Sequence, residues 1–102
     1  MNILLACGGG MSSSLLATTL TKEAAKHNQK WNVQETSIDK VTDNLNSTDY
    51  QFILLAPQVS FKKKDFEAEA ERHHTKFILI PMTMYNPARV GKLYDLIAKE
   101  TE

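Results

Sequence analysis

The chain reads as one α/β domain, a doubly wound four-stranded parallel sheet with helices on both faces. Three observations predict this. Short apolar runs at residues 3–6, 52–56 and 77–80 are continuous rather than alternating, as in parallel strands buried on both sides. Stretches with helical spacing lie between them. The length, 102 residues, suits one core and is too short for two.

The first run, Ile3-Leu4-Leu5-Ala6, leads straight into Cys7 and the glycines. Residues 12–28 then place Leu15, Leu16, Thr19, Leu20 and Ala24 on one stripe, with Lys22, Glu23 and Lys26 outside it. Residues 31–38 alternate, with Trp31, Val33 and Glu35 on one side and Asn32, Gln34 and Thr36 on the other. Alternation predicts an edge strand, with Trp31 as a core anchor. A short helix or turn is expected at residues 40–47, with Asp39 as its cap. After the third strand, residues 61–74 form a charged helix that buries Phe66 and Ala70, and Lys62, Lys63 and Lys64 are its solvated start. The final helix, residues 86–99, has Val90, Leu93, Tyr94 and Ile97 at i, i+3, i+4 and i+7, with Pro87 in the first turn. Right-handed crossovers place these helices on both faces of the sheet. Residues 1–102 are expected to form this one domain.

Composition excludes several classes of function. Twelve basic residues balance twelve acidic ones, which argues against nucleic acid or an anionic membrane as the main partner, since such binding is dominated by clustered Lys and Arg. One cysteine makes neither an internal disulfide nor a four-cysteine zinc site, and a free thiol suits a reducing cytoplasm. Residues 1–6 are too short for a signal segment, and nothing approaches the roughly 20 apolar residues of a membrane helix.

In doubly wound sheets ligands bind beyond the carboxyl ends of the strands, at the topological switch point. Cys7 falls there, at the start of Cys-Gly-Gly-Gly-Met-Ser-Ser-Ser. Glycines let backbone approach a ligand, and Ser12 or Ser13 can cap the helix that follows. The helix start offers unpaired N–H groups and partial positive charge, a seat for an anion that equally favours a thiolate. A nucleophilic sulfur ringed by amides fits a phosphocysteine intermediate. The bland alternative is a small buried cysteine beside a turn. The loop is not a Walker loop, since no Gly-Lys-Ser/Thr follows, nor G-x-G-x-x-G, since position 13 is serine. It is not C-x-x-C, because position 10 is glycine. A phosphatase loop of the C-x5-R type fails at Ser13, and the two arginines, Arg72 and Arg89, lie far along the chain.

The stretch "ILLACGGGMSSSLLA", the segment "FILLAPQV" and the βα order over essentially the whole chain resemble the enzyme IIB component of the lactose/cellobiose (N,N′-diacetylchitobiose) family of the bacterial sugar phosphotransferase system. The resemblance implies a phosphotransferase that works as a carrier. A histidine of the IIA partner donates phosphate to Cys7, and the phosphocysteine passes it to a sugar on the membrane-embedded IIC partner. The sugar implied is a β-linked disaccharide such as cellobiose or diacetylchitobiose. Gly8, Gly9, Gly10, Met11, Ser12, Ser13 and Ser14 would form the phosphate loop. No cofactor or metal is implied, since the donor is already a protein phosphate, and the chain would be cytoplasmic, reaching the membrane through IIC. Two other readings stay open: a non-covalent anion-binding module and a relative of the low-molecular-weight phosphatases.

If two partners use one rim, the loops after the third and fourth strands flank Cys7 in both encounters. Pro57, Gln58, Val59, Met82, Met84 and Tyr85 are the expected contact residues. His27, His73 and His74 read as solvated helix-end histidines.

Overall fold

The computed structural model describes residues 1–8 and 11–101. Strand β1 (Asn2–Cys7) leads to α1 (Met11–Lys26), β2 (Asn32–Ser37) and a 3-10 turn (Ile38–Lys40) that runs into α2 (Val41–Ser47). Then come β3 (Phe52–Leu55), a 3-10 segment (Pro57–Lys62), α3 (Lys63–Arg72) and β4 (Lys76–Leu79). Two further 3-10 turns (Met82–Met84 and Pro87–Arg89) precede α4 (Val90–Glu100). All strand pairs are parallel and the order is β2-β1-β3-β4. The chain moves outward from β1 to β2, then back across to β3 and β4. The switch point therefore lies between the carboxyl ends of β1 and β3, where Cys7 stands.

Alternate residues of the central strands feed two cores. Ile3, Leu5, Phe52 and Leu54 pack with Leu16 and Leu20 of α1 and Leu93, Tyr94 and Ile97 of α4. Leu4, Ala6, Ile53 and Leu55 pack with Val41 and Leu45 of α2 and Phe66 and Ala70 of α3. Full burial of each large aliphatic side chain contributes about 1.5–3 kcal/mol. Trp31 is buried, as expected of a core anchor, and stacks on Tyr94 at 4.7 Å between centroids.

Several expectations are corrected. Leu15 is 57% exposed, because the buried line of α1 runs through Ser13, Leu16, Ala17, Leu20 and Ala24, and Leu15 sits beside it. The run at residues 77–80 is only half-buried over Phe77, Ile78 and Leu79, since β4 occupies the outer edge of the sheet. Helix α3 starts at Lys63 rather than at Phe61, after a kink at Val59, whose φ of −119° and ψ of 31° are not helical. Asp39 lies inside the 3-10 turn and caps nothing, and α2 begins without a side-chain cap.

Candidate functional site

Cys7 ends β1, and in the parallel register it pairs with Ser37 at the end of β2. It is 5% exposed. Its thiol donates to Ser13 Oγ at 3.1 Å and faces the carbonyl oxygen of Thr36 at 3.4 Å. A third acceptor, Glu35 Oε2, lies 4.0 Å from the sulfur. Ser13 is the third residue of α1 and is buried, so the first helical turn presses directly on the sulfur. Its hydroxyl donates to Glu35 Oε2, and Ser14 donates to Glu35 Oε1 at 2.8 Å. The Thr36 hydroxyl is tied to Asn44 Oδ1 at 2.6 Å, which anchors the end of β2 to α2.

Ser13 is thus not the cap of α1. It bridges the thiol to a carboxylate. Gly9, Gly10 and the side chains of Met11 and Ser12 lie outside the described residues. Gly8 is exposed, and a Cβ built on it would come 3.1 Å from Val59 Cγ1. Val59, expected as a partner contact, is instead buried and lies against Gly8. Its apolar side chain fills the space beneath Gly8.

The other expected contact residues divide. Gln58 and Met82 are exposed, Met82 at 65%, whereas Pro57, Met84 and Tyr85 are half-buried. Met84 and Tyr85 pack against the α1/α4 core. Two exposed apolar residues on the same rim were not foreseen: Leu15, in the second turn of α1, and Phe61, 74% exposed.

Glu35 is the residue that sequence reasoning missed. The register pairs it with Leu5, which puts both on the α1 face of the sheet. A charged residue on the same side of an edge strand as Trp31 and Val33, two positions before its end, was the available signal.

His73 and His74 sit at the opposite, amino-end rim, between α3 and β4. Among the described residues, no group of three or more His, Cys, Asp or Glu side chains is placed to hold a metal ion. No described helix is long and apolar enough to cross a membrane.

The model of the phosphotransferase-system lactose/cellobiose-specific IIB subunit matches residues 2–93. The chain belongs to this family. As a IIB component it is a phosphotransferase of a sugar phosphotransferase system. Its relatives include the oligo-β-mannoside-specific EIIB component of Bacillus subtilis, 32% identical over 91% of this chain and 88% of that protein. The cellobiose-specific EIIB component of Lactococcus lactis is 33% identical over 89% of this chain and 87% of that protein. In Staphylococcus haemolyticus the same length of chain makes up 17% of a lactose-specific EIICB component, 34% identical over 99% of this chain, so there IIB is fused to IIC.

Among solved structures, the cellobiose-specific IIB component of Borrelia burgdorferi superposes with a TM-score of 0.72 at 28% identity, covering 97% of this chain and 89% of that one. The lactose-specific IIB domain of Streptococcus pneumoniae gives a TM-score of 0.86 over 100% of this chain and 98% of that one, at 19% identity. The latter shows the shared fold.

Proposed function

We propose that this IIB component carries phosphate on Cys7. It takes the group from a phosphohistidine of its IIA partner and gives it to a β-linked disaccharide bound by the membrane IIC partner. Residues 1–102 would act as one such domain, peripheral to the cytoplasmic face of the membrane through IIC. The observation that carries this reading is the seat of Cys7. The single thiol stands at the switch point of the sheet, pressed against the first turn of α1. There the helix dipole and the loop amides would stabilise a phosphoryl group as sulfur attacks phosphorus.

The phosphatase alternative gains nothing from the site. The arginines have other places, Arg72 paired with Glu69 at 3.2 Å and Arg89 in the turn before α4. A carrier without a guanidinium clamp can release its phosphate to the sugar held by IIC.

The sugar is less sharply indicated than the chemistry. Relatives that are 32–33% identical carry oligo-β-mannoside, galactose and cellobiose in their names. Such spread is expected if IIC chooses the sugar. Reconstitution tests the whole reading: the chain, a phosphorylated IIA and IIC-containing membranes are supplied with cellobiose, diacetylchitobiose or galactose. Phosphorylation of a β-linked disaccharide, lost in Cys7→Ser, is the expected result. Equal sugar phosphorylation by Cys7→Ser would overturn it.

A further inference from the structure

Glu35 is unexplained by a simple phosphate seat, because a carboxylate 4.0 Å from the sulfur opposes the arrival of a phosphate dianion. The thiol also has a proton to lose when it accepts a phosphoryl group. Among the described residues, three acceptors face it. The Thr36 carbonyl cannot keep a proton, and the Ser13 hydroxyl can take one only by giving up its own. Glu35 can keep one. Ser13 already donates to Glu35 Oε2, and Ser14 holds the other carboxylate oxygen. Ser13 is 1% exposed, so the link is sheltered from water, while Glu35 opens to solvent and can exchange its proton. Among the described residues no basic side chain forms an ion pair with Glu35, and the groups that face it are the hydroxyls of α1 and the thiol of β1.

We propose that Glu35 accepts the proton of the Cys7 thiol through Ser13. This rests on Cys7 being the phosphoryl acceptor. As the S–P bond forms, the bond from phosphorus to the donor's imidazole nitrogen breaks, and its electron pair leaves with that nitrogen. The thiol proton moves to Ser13 Oγ while the Ser13 proton moves to Glu35 Oε2. The carboxylate becomes a neutral acid as the dianion arrives, so the like-charge contact disappears in the same step. Run backwards, with the phosphoryl group returning to the donor nitrogen, the path reprotonates the sulfur.

The test compares two reactions of Cys7 in the full chain. Glu35→Gln is expected to slow phosphorylation by phosphorylated IIA at least tenfold, the loss of a general base. Alkylation by iodoacetamide at pH 7 needs no proton acceptor from the relay and reports only the access and integrity of the sulfur. It should run at least as fast in the same variant. A merely structural role for Glu35 would lower both rates together or neither. Ser13→Ala should lose as much phosphorylation as Glu35→Gln, with no further loss in the double variant. Glu35→Asp, which keeps the carboxylate, should recover part of the rate. Wild-type acceptance with an unimpaired Glu35→Gln, or a parallel fall in both reactions, overturns the relay alone. Failure of the wild-type chain to take phosphate on Cys7 overturns the carrier reading beneath it.

Discussion

Gly8 and Val59 meet where the loop leaves β1, and their contact gives one side chain a structural meaning that the sequence hid. A Cβ at position 8 is tolerated only if Val59 yields by a few tenths of an ångström. A valine there presses on Val59 Cγ1 in a buried, kinked and close-packed segment. Gly8→Val is expected to cost about 1–3 kcal/mol of stability through overpacking. It should also lower phosphate acceptance at least tenfold, because the added bulk is next in the chain to Cys7. Adding Val59→Ala should restore part of both. Thermal unfolding and phosphate labelling measured on the same samples check this, and a Gly8→Val protein with normal labelling would show that the contact is incidental. The place of Cys7 at the end of a buried strand was legible, because the apolar run stops there before the glycines. Val59 and Glu35 were not, because each reaches this corner from a distant part of the chain, Val59 from the 3-10 segment after β3 and Glu35 from β2.

At the scale of elements, the helices α1 and α3, which return the chain to the amino end of the sheet, are stopped by the same device. Asn28 and His74 have positive φ, 60° and 55°, one residue past the caps of α1 and α3. In each case the next residue's N–H reaches back to a carbonyl in the last turn: Gln29 to Ala24 at 2.9 Å, Thr75 to Ala70 at 2.8 Å. These are paired helix stops of the Schellman type. His74 therefore has a backbone role in stopping α3. His74→Val, which places a β-branched residue in the left-handed region, is expected to cost about 1–2 kcal/mol while phosphate labelling stays at the wild-type rate. Labelling lost in a folded His74→Val protein would contradict this. The helices and strands were legible because their apolar periods are long. Their ends were not: a stop built on asparagine or histidine lacks the glycine that announces it, and the kink at Val59 delays α3 past Phe61. Leu15 was misread for a related reason, since one residue of phase turns a helix side chain from core to solvent.

On the scale of the whole molecule, the β2-β1-β3-β4 order gathers the ends of all four strands on one rim, and Leu15, Phe61 and Met82 leave exposed apolar surface on the elements that start there. Transient partners that share one site need such modest, releasable contacts. Phe61→Ser and Leu15→Ser should each weaken IIA binding several-fold without changing stability by more than about 0.5 kcal/mol. In chemical-shift mapping, shifts should centre on Leu15, Phe61 and Met82. Shifts centred on His73 and His74 would place the partner at the wrong end of the sheet. The most direct test of the central claim is intact mass and peptide mapping after incubation with phosphorylated IIA. The account predicts one added phosphate, carried by the peptide containing Cys7, stable in base, released by iodine and absent from Cys7→Ser. A phosphate on His27, His73 or His74, or one that persists in Cys7→Ser, would contradict it.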